Sequence, residues 1–285
     1  MKILVTGANG QLGTCIRDLA AKHPQIEFMF TDFKELNIVD SLAVSDFFET
    51  HGFEYCINCA AYTAVDRAEK ERERCFEINA KGPKVLSEAC HDFRTTLIHL
   101  STDFVFDGTK HEPYNEDDTA NPINVYGSSK LKGERYVETI LPNHYIIRTS
   151  WVYSEYGNNF LKTMLRLGRE RNHLSIVNDQ IGTPTYARDL AEFILYVVSN
   201  DNRAYGLYNY SNEGAISWFD FAVDIFKNAD SHIKIEPISS KQYPTPAQRP
   251  KNSALDKTKV IKTFQVAIPL WRKSLEKCFL NINTM

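Results

Sequence analysis

The sequence predicts an α/β fold in which a doubly wound parallel sheet is followed by a smaller C-terminal lobe. Short apolar runs alternate with helix-like segments over residues 1–150, as a parallel sheet with crossover helices requires. A glycine-rich turn follows the first apolar run, almost at the start of the chain. After Trp151 the alternation loosens into helices, short strands and a proline-rich turn, which indicates a second unit.

Local signals place the elements of the first half. Asp40 is expected to cap a helix that stops at Gly52, and Pro24 ends the helix before it. The predicted strands are Lys2–Val5, Ile26–Phe30, Tyr55–Cys59, Thr96–Leu100 and Tyr145–Arg148. The predicted helices are Gln11–Ala21, Ser41–Thr50, Asp66–Ile78, Lys84–His91 and Asn124–Thr139.

The second half predicts a smaller lobe. Its expected elements are helices near Asn159–Arg169, Ala187–Ser199 and Ser217–Asn228, and strands near Leu174–Val177 and Leu207–Tyr210. A turn-rich stretch, Tyr243–Pro250, follows them. We expect this lobe to cover the carboxyl ends of the main strands, where open α/β sheets bind their ligands.

Composition excludes several classes of protein. The 285 residues include 33 Lys plus Arg and 36 Asp plus Glu, a net charge of −3, so no nucleic-acid partner is expected. No apolar run approaches the roughly 20 residues of a membrane helix. The six cysteines are too few for a disulfide scaffold in a chain this long. We therefore expect reduced thiols, no membrane association and a cytoplasmic location.

The turn between the first strand and the first helix contains Gly7, Gly10 and Gly13. Glycines allow a tight turn and bring backbone N–H groups and the positive end of a helix close to a pyrophosphate. This position in the first βα unit predicts a Rossmann-type NAD(P)-binding domain over residues 1–150. Residues 151–285 are then mainly the substrate-binding lobe, and helices from the later chain are free to complete the first domain.

The second predicted strand leads to a residue that bears on the cofactor. Asp32 follows that strand, and a carboxylate there commonly accepts hydrogen bonds from the adenosine ribose, which favours NADH. Lys34, two residues further on, would instead suit the 2′-phosphate of NADPH. The residues alone leave the preference between NADH and NADPH open.

A Tyr-x-x-x-Lys pair, Tyr126 and Lys130, lies on a predicted helix, where this spacing puts both side chains on one face. A free tyrosine titrates near 10, and an adjacent ammonium is expected to lower the pKa of Tyr126 by about three units. Thr102, at the end of the fourth strand, is placed to hydrogen-bond a carbonyl oxygen as charge develops on it. Together these residues predict acid–base chemistry at a carbonyl.

These motifs resemble the extended short-chain dehydrogenase/reductases, and among them a group of nucleotide-sugar reductases. The segments that carry the resemblance span nearly the whole chain: 7–13, 58–66, 101–108, 124–130, 148–153, 157–160, 178–180 and 243–250. The last four carry most of its specificity. The resemblance implies hydride transfer from NADPH or NADH to C4 of dTDP-4-dehydro-L-rhamnose. The product would be dTDP-L-rhamnose for surface polysaccharide synthesis.

The resemblance also implies site residues. It makes Thr102, Tyr126 and Lys130 the catalytic residues. The implied cofactor-binding residues are Gly7, Gly10, Gln11, Leu12, Asp32, Asn37, Ile38, Ala61, Tyr62, Thr63, Leu100, Tyr126 and Lys130. The implied substrate-binding residues are Thr102, Asp103, Trp151, Asn159, Gln180 and Arg249. Among these, a guanidinium at Arg249 suits a nucleotide pyrophosphate.

Metal binding is not expected. Some relatives are described with Mg²⁺ held by acidic residues at a dimer contact. Here the matching position on the first helix is Cys15, and Mg²⁺ prefers carboxylate oxygen to thiolate. The expected partners are therefore a nucleotide-sugar substrate, NADPH or NADH, and a second copy of the chain in a homodimer.

Two other functions stay open. An epimerase or dehydratase of another nucleotide sugar would use the same turn and Tyr/Lys pair with a tightly held NAD. Dehydratases usually add acidic residues beside the hydroxyl, and here Asp103 is present but no Glu follows it. The second alternative is a non-catalytic subunit, similar to the regulatory subunit of methionine adenosyltransferase. The complete set of Thr102, Tyr126 and Lys130 favours catalysis.

Overall fold

The computed structural model describes residues 1–284. The strands are β1 (Lys2–Thr6), β2 (Glu27–Phe30), β3 (Tyr55–Asn58), β4 (Thr96–Thr102), β5 (His144–Thr149), β6 (Val152–Tyr153), β7 (His173–Val177), β8 (Ile181–Gly182), β9 (Thr185–Tyr186), β10 (Gly206–Asn209), β11 (Ile216–Ser217) and β12 (Lys234–Ile238). The α-helices are α1 (Gln11–Ala20), α2 (Ser41–His51), α3 (Val65–Ala68), α4 (Arg72–Phe76), α5 (Gly82–Asp92), α6 (Val125–Ile140), α7 (Phe160–Glu170), α8 (Ala187–Asn200), α9 (Trp218–Asn228), α10 (Thr258–Phe264) and α11 (Trp271–Thr284). A π-helical turn covers Glu77–Lys81, and 3₁₀ turns cover Asp103–Val105 and Ser240–Gln242.

A six-stranded parallel sheet forms the centre of the molecule, in the order β2-β1-β3-β4-β5-β10. The chain passes from β1 to β2 on one side and then to β3 on the other side of β1. The winding direction therefore reverses between β1 and β3, and open α/β sheets bind ligands outside the carboxyl ends of the strands at such a point. The predicted doubly wound parallel sheet is confirmed.

Apolar side chains cover both faces of this sheet, as they do in parallel sheets with crossover helices. Ile3 and Ile98 face α1 and α8, in a core that also includes residues of α10. Leu4 and Leu97 face α2, α5 and α6. Because successive residues of a strand point to opposite faces, the apolar side chains of β1 and β4 contribute to both cores.

The C-terminal lobe contains three two-stranded sheets, β7 with β12, β8 with β11, and β6 with β9. Helices α7, α9 and α11 contribute to its core, which includes the buried rings of Tyr153, Tyr186, Phe221 and Trp271. Since β6 begins only three residues after β5 ends, the lobe starts directly at the carboxyl edge of the main sheet.

Two of the predicted elements differ in the structure, and β12, α10 and α11 have no counterpart in the prediction. The strand expected in the lobe near Leu207–Tyr210 is β10, which pairs with β5 and completes the main sheet. The predicted helix Asp66–Ile78 is broken into α3, α4 and the π turn. At the break the Glu69 carboxylate accepts a hydrogen bond from Val125 N at 2.9 Å, and Glu71 accepts one from the Tyr62 hydroxyl at 2.9 Å. These tertiary hydrogen bonds outweigh helix propensity.

Other helix boundaries follow the sequence. The Asp40 side chain accepts a hydrogen bond from Ala43 N at 3.1 Å, and Gly52 ends α2 with φ +59°. Asn124, predicted as the first residue of its helix, is the N-cap of α6. In the part of the chain that the structure describes, no helix is both long and apolar enough to cross a membrane.

Candidate active site

The glycine turn brings two backbone segments into contact at the switch point. Gly7 has φ +62°, and a Cβ there would lie 2.5 Å from Ala60 N. A Cβ on Gly13 would lie 2.5 Å from Ala8 Cα. Helix α1 has no side-chain cap, so the amides of its first turn are free to bind an anion. This cradle fits the pyrophosphate of a dinucleotide.

A cleft of about 1400 Å³ opens from this turn. The predicted cofactor residues that line it are Gly7, Gly10, Asp32, Asn37, Ile38 and Ala61. Phe33, which is largely exposed, stands at the same cleft. The Asp32 carboxylate accepts hydrogen bonds from Asn9 N at 3.0 Å and from Phe33 N at 2.7 Å. These contacts orient the carboxylate beside the cleft.

Two predicted cofactor residues point elsewhere with their side chains. Leu12 is buried in the apolar core on the α1 face of the sheet. The Gln11 side chain donates to Val152 O at 3.3 Å and accepts from the Ser154 hydroxyl at 2.9 Å. Only the backbone amides of Gln11 and Leu12, in the first turn of α1, face the place where a pyrophosphate would bind. The Gln11 side chain instead joins the main sheet to the lobe.

The segment Ala61–Thr63 is held by a residue that the sequence reasoning missed. The Asn79 side chain accepts from Tyr62 N at 2.8 Å and donates to Tyr62 O at 2.9 Å. Asn79 is fully buried in the π turn, and its amide also donates to the Ser129 hydroxyl at 3.0 Å. It therefore links the cofactor-side loop to α6. The position of Asn79 follows from the π turn, and the sequence prediction had a regular helix up to Ile78 instead.

The structure brings Thr102, Tyr126 and Lys130 together at the carboxyl end of β4. Thr102 is the last residue of β4, and its hydroxyl lies beside the Tyr126 phenol. The Asn124 side chain caps α6 by accepting from Gly127 N at 2.7 Å, which fixes the turn that carries Tyr126. Lys130, one turn further along α6, is only 2% exposed.

Burial controls the pKa of Tyr126 in this structure. It raises the pKa above the usual value, a hydrogen bond with Thr102 lowers it, and the charge of Asp103 raises it. The expected lowering by Lys130 is wrong for this structure because the Lys130 Nζ donates to Leu100 O at 2.6 Å. A raised pKa keeps the phenol protonated at neutral pH, which is the state that a proton donor needs.

The pKa of Lys130 is also shifted. Burial lowers its pKa to about 8, while the nearby Glu134 carboxylate raises it. At neutral pH the side chain is therefore mostly an ammonium, held against the end of β4 by the Leu100 carbonyl. Leu100 contributes to the site through this backbone oxygen.

Asp103 is almost completely buried, with 2% exposure, directly after Thr102. Its Oδ1 accepts from the Thr102 hydroxyl at 3.1 Å. Burial raises the pKa of Asp103 to about 7, although hydrogen bonds with Ser253 and Thr102 oppose this. Because Ser253 belongs to the C-terminal segment, Asp103 joins the end of β4 to the lobe.

Trp151 leaves β5 in an unusual backbone conformation, with φ +47°. Bulky residues rarely occupy this left-handed region, and such strain is concentrated at functional sites. Its indole stacks on Trp218 with 3.5 Å between ring centroids and 7° between planes. A Cβ on Gly182 would lie 2.6 Å from the indole. One face of Trp151 is therefore occupied by Trp218, a residue with no local signal in the sequence.

Asn159 and Gln180 have protein partners. Asn159 caps α7 by accepting from Lys162 N at 3.0 Å, and its amide donates to Gln11 Oε1 at 2.8 Å. Gln180 donates to the Ser240 hydroxyl at 2.9 Å, within the lobe. Both side chains position loops in this structure, and a direct contact with substrate stays a prediction.

Arg249 forms a bidentate pair with Asp66 across the two parts of the molecule. Its Nη1 donates to Oδ1 at 3.0 Å and its Nη2 to Oδ2 at 2.8 Å. The guanidinium holds the pKa of Asp66 below its usual range. A pyrophosphate could bind Arg249 only if the guanidinium left this carboxylate, so that predicted role also stays untested.

Two further observations concern metals and thiols. Among residues 1–284, no group of three or more His, Cys, Asp or Glu side chains is arranged to hold a metal ion. Cys15 is completely buried, and burial raises the pKa of its thiol well above the usual value. All six cysteines are free thiols.

The fold and the site define a nicotinamide-dependent oxidoreductase of the short-chain dehydrogenase/reductase class. The chain matches the family described as RmlD substrate binding domain over residues 1–284. It is 40% identical to a dTDP-4-dehydrorhamnose reductase of Aggregatibacter actinomycetemcomitans, over 96% of this chain and 97% of that protein. The chain belongs to the dTDP-4-dehydrorhamnose reductase family.

Solved structures agree with this assignment. A dTDP-4-dehydrorhamnose reductase from Clostridium acetobutylicum superposes with a TM-score of 0.96 at 41% identity, covering 100% of both chains. The enzyme from Bacillus anthracis, in complex with NADP, superposes with a TM-score of 0.95 at 38% identity, covering 98% of this chain and 99% of that one. The predicted family and class of enzyme are therefore confirmed.

Proposed function

We propose that the protein reduces the C4 ketone of dTDP-4-dehydro-L-rhamnose to give dTDP-L-rhamnose. The observation that carries this proposal is the placement of a protonated Tyr126 beside Thr102 at the carboxyl end of β4, at the same edge of the sheet as the glycine turn that follows β1. The bound nicotinamide cofactor would supply the hydride. The sugar identity comes from the named relatives, since no residue of this chain by itself distinguishes one 4-keto sugar from another.

Each catalytic side chain has a defined task in this proposal. Tyr126 donates its phenolic proton to the oxygen on C4 as that oxygen becomes an alkoxide. The Thr102 hydroxyl, which donates to Asp103 Oδ1 at 3.1 Å in this structure, would turn its proton to the same oxygen and stabilise its developing charge. Lys130, held by Leu100 O at 2.6 Å, would present its ammonium to the ribose of the nicotinamide half and so orient the cofactor. Asp103 and Trp151 are proposed to contact the sugar.

The cofactor would bind across the switch point. The amides of Gln11 and Leu12 would hold the pyrophosphate, since the Gly10 amide already donates to Gly7 O at 3.0 Å. The backbone of residues 61–63 would lie along the nicotinamide half. Asp32 at the adenosine end suits a free ribose 2′-hydroxyl, whereas a 2′-phosphate would meet its negative charge. We therefore propose that NADPH is accepted but that NADH is used at comparable efficiency. Comparing kcat/KM for the two cofactors tests this directly.

Tyr126→Phe tests the catalytic assignment. Removing the hydroxyl should lower kcat by about 10²-fold or more, since a positioned proton donor contributes on that scale. The dissociation constant of NADPH should change by less than about threefold, because the ring remains. Oxidation of NAD(P)H at 340 nm with the keto sugar nucleotide measures kcat, and fluorescence titration measures the dissociation constant of NADPH. Equal loss of binding and turnover would contradict the proposed role.

Location and assembly are further parts of the proposal. The six free thiols fit a reducing compartment such as the cytoplasm. We also propose a homodimer without Mg²⁺, because a buried thiol at Cys15 is a poor ligand for that ion. Light scattering measures the oligomeric state, and repeating it with EDTA tests whether a metal is needed. A dimer that dissociates with EDTA would overturn the proposal that no Mg²⁺ is bound.

A further inference from the structure

A buried ion pair joins Glu134 of α6 to Arg148 of β5, one helical turn beyond Lys130. Arg148 donates from Nε to Glu134 Oε1 at 2.9 Å and from Nη2 to Oε2 at 2.6 Å. The two side chains are 5% and 1% exposed. Arg148 also lies over the Phe106 ring, 5.1 Å from its centroid. Because buried ion pairs stabilise a fold little better than apolar residues of similar size, the pair is not explained by stability alone.

Its place on the helix connects it to catalysis. Glu134 follows Lys130 by four residues, and Lys130 follows Tyr126 by four residues, so the three side chains lie along one face of α6. Lys130 is buried and has the Leu100 carbonyl oxygen as its hydrogen-bond acceptor. A neutral carbonyl alone does not offset the cost of burying an ammonium.

The other titratable groups around Lys130 do not supply the missing charge. Cys59, the residue after β3, and Cys75 of α4 act on it, and burial raises the pKa of both thiols, so they are neutral near pH 7. His99 on β4 is fully buried with a lowered pKa, so it is neutral as well. Tyr126 is protonated. Of the groups that act on Lys130, Glu134 is the one that carries charge.

We propose that Glu134, held by Arg148, is a positioning residue for the reduction: its buried carboxylate keeps the Lys130 ammonium charged and in place. Arg148 has a distinct task, since an unpaired buried carboxylate would take up a proton and lose the charge that Lys130 needs. The inference rests on the proposed function, because it assigns Lys130 to the reaction.

Glu134→Gln tests this inference, with Glu138→Gln as the matched control. Glu138 lies one turn further along α6 and is exposed, and its carboxylate is not among the charges that act on Lys130, so its loss removes the same charge from the helix only. Without the Glu134 charge, Lys130 should lose its proton at lower pH. The basic limb of kcat/KM against pH should therefore move toward acid by about one unit. The control should move it by less than about 0.2 units.

Cofactor binding gives a second readout that needs no substrate. The dissociation constant of NADPH should rise with pH about one unit earlier in Glu134→Gln than in the parent. A shift in cofactor binding without turnover of any sugar nucleotide would count against the proposed function while supporting this inference. A uniform loss at all pH values, with no movement of either limb, would overturn the inference.

A paired variant covers the case in which Glu134→Gln does not fold. Glu134→Met with Arg148→Met removes both charges and leaves no unpaired ion, which folded proteins tolerate far better than loss of one partner. It should show the same acid shift of about one unit in cofactor binding. Parent-like pH dependence in this folded variant would refute the inference.

Discussion

Replacing Asp103 by Asn should make the protein more stable at alkaline pH. Burial raises the pKa of Asp103 from 3.8 to about 7, whereas an unfolded carboxyl titrates near 3.9. Between these values the folded state holds a proton that the unfolded state has lost. The free energy of unfolding therefore falls as pH rises, by about 1.4 kcal/mol per unit. Over the three pH units between the two pKa values, the Asp103 carboxyl lowers the free energy of unfolding by up to about 4 kcal/mol.

The assay is urea unfolding of parent and Asp103→Asn from pH 4 to pH 8.5. The difference in unfolding free energy, variant minus parent, should rise by up to about 4 kcal/mol between pH 4 and pH 7 and then stay constant. Asp107→Asn is a suitable control, because hydrogen bonds lower the pKa of Asp107 to about 2 and its stabilisation is lost only in acid. A difference that does not depend on pH would refute the reasoning.

Two further predictions concern packing. Gly7→Ala should destabilise the protein by about 2 kcal/mol or more and weaken NADPH binding at least about tenfold, because the added Cβ would meet Ala60 N at 2.5 Å. Gly52→Ala, with φ +59° but open space, should leave cofactor affinity unchanged in the same titration. Trp218→Ala should remove the exciton signal of the stacked indoles from circular dichroism. It should also lower the free energy of unfolding by about 2 kcal/mol, and an unchanged spectrum would contradict the Trp151–Trp218 stack.

The elements that the sequence predicted well are those with local causes. Asp40 and Asn124 cap helices because their side chains reach amides three residues ahead. The glycine turn is visible because close backbone approach excludes a Cβ at Gly7. Each of these signals is contained in a few consecutive residues, so it needs no knowledge of the rest of the fold.

The position of β10 was not predictable in the same way. Its four residues look like any short strand, and what places them is pairing with β5, which lies about sixty residues earlier in the sequence. The break at Glu69 has the same kind of cause, since its hydrogen-bond partner Val125 is far along the chain. Local patterns do not encode such contacts, so sequence reasoning assigned the strand to the lobe and continued the helix.

The same limit applies to residues of the site. A guanidinium at Arg249 suits a pyrophosphate by its chemistry, yet Asp66, 183 residues away, presents a carboxylate that it binds with two hydrogen bonds. Residue type therefore restricts which ligands a side chain can bind, but the fold determines which partner it binds in the structure. Lys130 was identified by its spacing, while the ion pair behind it became visible only when α6 and β5 came together.

The contacts at the start of α6 make the geometry of Tyr126 depend on the lobe. The Asn124 side chain caps the helix through Gly127 N and also donates to Gln248 O at 2.8 Å. Glu69 accepts from Val125 N at 2.9 Å from the other side. Displacing a catalytic group by about 1 Å can lower the rate about 10²-fold. A shift of the segment 245–249 should therefore lower kcat even if the segment does not contact the reacting atoms. The position of segment 245–249 and the orientation of Tyr126 are therefore coupled, because the Asn124 side chain contacts both the segment and the first turn of α6.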